Sequence, residues 1–144
     1  GLCTATGQPL GLAALAQVQD WWGGAGHVTV KPILNLAETI TCRGYQPSDR
    51  LRDQVTTINP TCVFPHCHRP STKLDLDHIE PYDPDNTDDP APQTTSLNLA
   101  PLCRLHHRVK THGGWRYTRL GPGRHHWTSP HGHHWITDHD GTRP

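Results

Sequence analysis

Two short-spaced pairs of potential metal ligands constrain this chain more than any other feature. Cys62 and Cys67 enclose Val-Phe-Pro-His, and Cys103 stands three residues before His106. Structural zinc is held tetrahedrally by four Cys or His ligands, commonly supplied as two such pairs. A site of this kind clips the 62–67 loop to the segment after residue 100. The composition makes such a clip valuable. Only 33% of the residues are hydrophobic, with one Phe and no Met, and small domains with thin cores commonly rely on a metal or disulfide staple. The first apolar run, Leu10 to Val18, is short and interrupted at Gln17, unlike a secretory leader. With an odd number of cysteines, five, metal binding is then the better reading than a disulfide framework. Cys3 and Cys42 are read as ordinary thiols.

The ligand register stays open. Pro101 is placed to open a helix to about Thr111, stopped by His112-Gly113-Gly114. On that helix Cys103 and His106 lie one turn apart, and His107 at i+4 is an alternative. His66 and His68 flank Cys67 as further candidates.

The rest of the chain is loop-rich, with fourteen Pro and thirteen Gly. Residues 1–8 read as disordered or as the end of something longer. Leu10, Ala13, Ala14, Gln17, Val18 and Trp21 trace one face of a helix over 9–22. His27 to Ile33 alternates as a strand, which Pro32 confines to an edge, and Leu34 to Ile40 extends it or pairs with it. Pro47-Ser48-Asp49 signals a helix start, Leu51, Val55 and Ile58 share a face, and Asn59-Pro60 ends it. Lys73 to Ile79 alternates as a strand. Pro81 to Gln93 is a Pro- and Asp-rich surface loop. From Trp115 onward, turns at 121–123 and 129–132 divide short antiparallel hairpins. This reading places a lead-in over 1–60 and the principal domain over 61–144.

A second constellation overlaps the first. If His106 serves a zinc ion, His107 points about 100° away around the helix and is free to face a different ion. Asp77 is a suitable hard ligand for that ion, and His78 is the candidate general base. Both serve one site only if the strand ends or bends there, and Pro81 provides for that. A metal polarises a phosphoryl oxygen while neutral His78 takes a proton from the attacking water. The Asn98 amide, just before the helix, suits a supporting role, tying the loop to backbone groups and orienting His78. Arg104, Arg108 and Lys110 give the helix a basic face suited to phosphates.

In this order and spacing the residues resemble the HNH nuclease family, in its zinc-knuckle subclass. The motifs are Cys-x4-Cys at 62–67, Leu-Asp-His at 76–78, Asn-Leu-Ala-Pro-Leu-Cys at 98–103 and His-His-x-x-Lys at 106–110. Beyond the core, Val28-Thr-Val through Tyr45-Gln-Pro-Ser, Leu51-Arg, Gly114-Trp115 and Trp127-Thr-Ser-Pro-x-Gly132 resemble actinobacterial proteins with a C-terminal HNH domain behind a helical domain. The resemblance implies an α+β fold with a small ββα-metal (His-Me finger) core and a structural Zn²⁺, flanked by N-terminal helices and strands and C-terminal β-hairpins. It implies a DNA endonuclease leaving a 5′-phosphate and a 3′-hydroxyl. His78 would be the base, Asn98 would position the loop, and Asp77 and His107 would hold a catalytic Mg²⁺, Mn²⁺ or Zn²⁺. Two departures stand out. The Gly-Gly often found between the first His and the Asn is replaced by the acidic loop 83–92, and the helical domain is reduced to residues 1–27.

The formal net charge of zero hides an asymmetry. Asp75 to Asp89 holds seven acidic residues and no Lys or Arg, whereas Pro101 to the end holds seven basic residues against two acidic ones. A basic second half favours a polyanionic partner; the resemblance implies that this is DNA, double-stranded. No apolar run approaches the ~20 residues that span a membrane, so no membrane partner and a cytoplasmic location are expected. The competing reading is a non-catalytic zinc-knuckle module that binds nucleic acid.

Overall fold

The computed structural model describes residues 34–86 and 91–144, together with Gly23 and the strands Leu2–Cys3 (β1) and Pro9–Leu10 (β2). The chain forms two compact units, Gly1–Ile33 and Leu34–Pro144. In the first, β1 and β2 pair antiparallel, with Leu2 opposite Leu10 and Cys3 opposite Pro9. Leu2–Cys3 is therefore ordered strand, and Pro9–Leu10 takes a strand's hydrogen bonds rather than opening the expected helix. The remainder of that helix, and the strand expected over 27–33, lie outside the described residues.

The second unit is a mixture of small sheets and two α-helices. In chain order it contains β3 (Thr41–Cys42), α1 (Asp49–Ile58), a 3-10 turn (Ser71–Lys73), β4 (Asp75–His78), β5 (Thr94–Thr95), β6 (Leu99–Leu102) and α2 (Arg104–His112). Strands β7 (Arg116–Gly121), β8 (Arg124–Thr128), β9 (His134–Asp138) and β10 (Gly141–Arg143) complete it. β3 pairs with β5, β4 with β6, and the last four strands form an antiparallel meander.

Helix α1 follows from its sequence. Ser48 caps it, its hydroxyl accepting from the Leu51 N–H at 3.3 Å. Leu51, Val55 and Ile58 are buried along one face, and the first two pack against Leu76 and Leu99. Asn59 ends the helix with both its backbone and side-chain N–H groups on the Val55 carbonyl. Because of this packing, residues 34–60 belong to the same compact unit as the strands that follow, not to a separate lead-in. Ser48→Ala should cost about 1 kcal/mol, read as a lowered urea midpoint with unchanged m-value.

Segment 34–40 is not a strand. Buried Gln54 donates from its amide to the carbonyls of Asn35 (2.9 Å) and Glu38 (2.7 Å), which fixes a turn against α1. Pro101 also departs from expectation: it sits within β6, opposite Leu76, and α2 starts only at Arg104. The Pro101 carbonyl points away from β4 and accepts from the Val63 N–H at 3.1 Å. A strand residue's N and C=O point the same way, so the absent proline N–H leaves the β4–β6 ladder intact.

The C-terminal meander packs on the 62–67 loop. Trp127 is fully buried, stacks on Tyr117 (4.2 Å between centroids, 7° between planes) and donates its indole N–H to the Val63 carbonyl at 2.8 Å. Thr137 donates to the same carbonyl at 3.0 Å. The β7–β8 turn needs Gly123, whose φ is +64° and whose added Cβ would lie 2.6 Å from His139 Nε2.

His125 on β8 is buried at 1% exposure, and both its ring nitrogens lack hydrogen-bond partners. It stands opposite Arg119 and Thr137, with the Tyr117 ring beside it. Burial, helped by the Arg119 charge, lowers its pKa to about 4. The folded state therefore disfavours the imidazolium, and stability present above pH ~6.5 should fall as the pH drops toward about 4, by roughly 3 kcal/mol from this group. His125→Phe should flatten that part of an acid-unfolding curve relative to the parent; an unchanged slope would remove His125 as its source.

Candidate metal and catalytic site

The first site starts from a turn. In Phe64-Pro65-His66-Cys67 the Cys67 N–H donates to the Phe64 carbonyl at 3.1 Å. Proline precedes His66, whose φ is +59°, as a type II turn requires. The turn folds Cys67 back beside Cys62. Across from it, Cys103 caps α2 and His106 lies in its first turn. His106 Nδ1 is 3.3 Å from Cys103 Sγ and 3.6 Å from Cys62 Sγ, and the four ligand atoms lie within 4.8 Å of one another. Ligands around one tetrahedral zinc, at roughly 2.3 Å for sulfur and 2.0 Å for nitrogen, stand about 3.5–3.8 Å apart. Cys62, Cys67, Cys103 and His106 could thus hold a metal ion such as zinc. The donor chemistry agrees: burial, with the neighbouring Cys67 and Cys103 thiols, pushes the Cys62 thiol up to about 12, against hydrogen bonds from the Cys103 and Phe64 N–H groups. Such a cluster of thiols ionises readily only around a cation. Phe64 stacks on His106 at 3.9 Å and shields the site from one side. His66 is exposed and donates its backbone N–H to Thr142.

His107 faces elsewhere. Its Nδ1 is 2.9 Å from Asp75 Oδ2 and its Nε2 is 3.2 Å from Asp77 Oδ1. Each ring nitrogen thus faces a carboxylate oxygen, and in the tautomer with the proton on Nδ1 the Nε2 atom and Asp77 could serve as two ligands of one ion. Asp77 is 4% exposed and also accepts from Lys110 and from the Tyr117 hydroxyl at 2.9 Å. Burial and the Asp77 charge raise Tyr117 well above its ordinary pKa, so it remains a phenol and a donor. The His107 hydrogen bond, opposed by burial and aided by Arg104, holds Asp75 below the usual carboxylate range.

His78 is the last residue of β4, and the chain bends at Ile79-Glu80. Its side chain is buried under Tyr45, whose ring lies 5.0 Å away. His78 Nε2 is 3.0 Å from Thr94 Oγ1, which donates its own proton to the Gly44 carbonyl at 2.6 Å. The hydroxyl therefore accepts from His78 Nε2–H, and Nδ1 carries the lone pair, without a partner among the described residues. Burial lowers the His78 pKa, Asp77 opposes this, and Lys110 and His107 add to it. The imidazole is thus neutral at pH 7, as a base must be.

Asp77, His78, His107 and Lys110 line one cavity of about 770 Å³. No family model matches the chain, and no solved structure does. The curated relatives that it matches include mycobacterial proteins. The uncharacterized protein Rv3776 of Mycobacterium tuberculosis is 40% identical over 86 residues, 59% of this chain and 15% of that protein. The uncharacterized protein Rv2100 of the same species is 34% identical over 119 residues, 82% of this chain and 20% of that protein. The chain therefore corresponds to a fifth or less of these longer proteins. No helix of the described residues is long and apolar enough to cross a membrane.

The remaining residues singled out in the sequence divide. Asn98 closes the acidic loop: its Oδ1 accepts from the Glu80 N–H (2.8 Å), and its amide donates to the carbonyls of Glu80 (3.1 Å) and Gln93 (2.9 Å). His78 is oriented by Thr94, not by the Asn98 side chain. Arg104 and Arg108 are exposed on α2, with Arg104 paired to Asp75 at 3.0 Å. Lys110 does not share that outer face. It turns inward to Asp77 and donates to the His78 carbonyl at 2.6 Å. Asp75, Thr94 and Tyr117 escaped the sequence reading. Asp75 carried a usable signal, because strand alternation puts it on the Asp77 face.

Proposed function

We propose that the chain is a metal-dependent DNA endonuclease of the HNH type, with β4, β6 and α2 as its ββα-metal core and a structural zinc at the knuckle. One observation carries the reading: neutral His78, with a free Nδ1, shares a cavity wall with an Asp77–His107 pair 3.2 Å apart. A divalent ion held by Asp77 and His107 would supply Lewis-acid polarisation of the phosphoryl group and neutralise charge on the leaving oxygen. The chain's own residues do the rest. His78 Nδ1 takes a proton from water as the water oxygen bonds to phosphorus. The P–O3′ bond breaks, leaving a 5′-phosphate, and the departing 3′ oxygen takes a proton from solvent. Thr94 holds the His78 ring, Asp75 keeps the His107 Nε2 lone pair available, and Asn98 fixes the loop ends. Arg104 and Arg108 meet the phosphates of duplex DNA, and a cytoplasmic site of action suits that substrate.

The Lys110 ammonium, 3.1 Å from Asp77 Oδ2, favours a second reading, in which it compensates the carboxylate permanently and the domain binds nucleic acid without cutting it. Nicking of supercoiled plasmid with Mg²⁺, Mn²⁺ or Zn²⁺ separates the two. Cutting supports the nuclease; retention of DNA with no cutting under all three ions supports the binding module.

A further inference from the structure

We propose that Tyr45 and Tyr82, beside His78, form a subsite that takes one unstacked nucleobase of single-stranded DNA. This rests on the nuclease reading for the identity of the polymer; the subsite itself stands on separate geometry. Tyr45 is 52% exposed, yet its ring is held in place. It stacks on His78 at 5.0 Å with 29° between planes and lies T-shaped to Tyr82 at 5.3 Å and 81°. The loop beneath it is pinned, since the Thr94 hydroxyl donates to the Gly44 carbonyl and lies 3.4 Å from that of Tyr45. Gly44 makes the turn at φ +85°.

Tyr45 stacks on His78, is half-exposed and lines the same cavity as His78. The cavity of about 770 Å³ is also lined by Trp115 and Arg116. Pockets that enclose whole planar ligands span about 300–1,000 Å³, far more than contact with one phosphate requires. Exposed Arg116 supplies positive charge for the flanking phosphates. Every base has a π-face, so stacking here would be tolerant of sequence. A paired base inside a duplex could not reach the ring, which is why the subsite selects unpaired DNA.

The test is a fluorescence titration of the full chain with a short single strand carrying one 2-aminopurine, with no divalent ion added. The strand should bind and its fluorescence should be quenched by stacking; the same sequence as duplex, whatever its affinity through Arg104 and Arg108, should show no such quench on binding. Tyr45→Ala should lose about tenfold in affinity and most of the quench, whereas Tyr45→Phe should keep both. Circular dichroism of the two variants checks the fold. Equal affinity and quench in Tyr45→Ala, or equal binding of a strand abasic at the probe position, overturns the subsite. Plasmid nicking alongside that result leaves the nuclease reading intact. Loss of binding in Tyr45→Ala, in a protein that cuts under no metal, keeps the subsite and removes the nuclease.

Discussion

His78→Ala should abolish plasmid nicking, with a fall of roughly 10²–10⁴-fold, the usual contribution of a positioned general base. Duplex affinity should persist, because the side chains proposed to meet duplex phosphates, Arg104 and Arg108, lie on α2 and not on β4. The size of the effect follows from the geometry. The His78 Nε2 proton is committed to Thr94, so Nδ1 is the basic atom, and burial keeps it unprotonated. No neighbouring group replaces it: His107 Nδ1 is engaged by Asp75 and its Nε2 faces Asp77. His78 is buried against Tyr45, so the variant needs a folding control, for which unchanged Trp127 near-ultraviolet dichroism serves. A folded His78→Ala protein that nicks at the parental rate would end the proposed role of this residue.

Where local rules dominate, the sequence reading and the structure agree. The Ser48 cap, the Leu51–Val55–Ile58 face and the Asn59-Pro60 stop are all encoded within about a dozen residues, and helix α1 spans Asp49–Ile58. The Gly121-Pro-Gly123 and Ser129–Gly132 turns likewise place the C-terminal strands, because hairpin register is set by adjacent residues. The Cys62/Cys67 and Cys103/His106 pairs were legible because zinc geometry fixes short spacings. The structure also resolves the register, with His106 Nδ1 beside the thiols and His107 at Asp75 and Asp77.

Tertiary partners decided the remainder. Pro101 reads as a helix opener until Val63 is seen to take its carbonyl and β4 its register. Segment 34–40 reads as a strand until buried Gln54 claims two of its carbonyls. Lys110 reads as part of a basic face until Asp77 and the His78 carbonyl draw it inward. Thr94 lies sixteen residues from His78 across an acidic loop, and nothing local marks it as the partner of that ring.

Removing one knuckle ligand, as in Cys103→Ala, should unfold the Leu34–Pro144 unit and release one equivalent of zinc. Helix α2 has no buried residue, and Leu105 is exposed, so apolar burial does little to hold it. Two things do: the Cys103/His106 end at the knuckle, and the network from His107 and Lys110 to Asp75 and Asp77. The knuckle is also the centre of the larger core, where Cys62 and Cys103 pack with Val63, Leu102, Tyr117 and Trp127. Structural zinc contributes about 10–16 kcal/mol to folding in small finger peptides, whereas a whole domain is stable by only about 5–15 kcal/mol. The loss therefore meets or exceeds the stability available. The polar network offers less: its Arg104–Asp75 arm is largely exposed and contributes only about 0–1 kcal/mol, and the attraction in its buried arms from Lys110 and His107 to Asp77 is largely offset by the desolvation of those groups. Mass spectrometry under native conditions should find one zinc in the parent and none in the variant, whose tryptophan emission should shift red as Trp127 meets water. A cooperatively folded, metal-free Cys103→Ala protein would show that Cys62, Cys67, Cys103 and His106 need no metal to pack and that α2 is held by the acidic network alone.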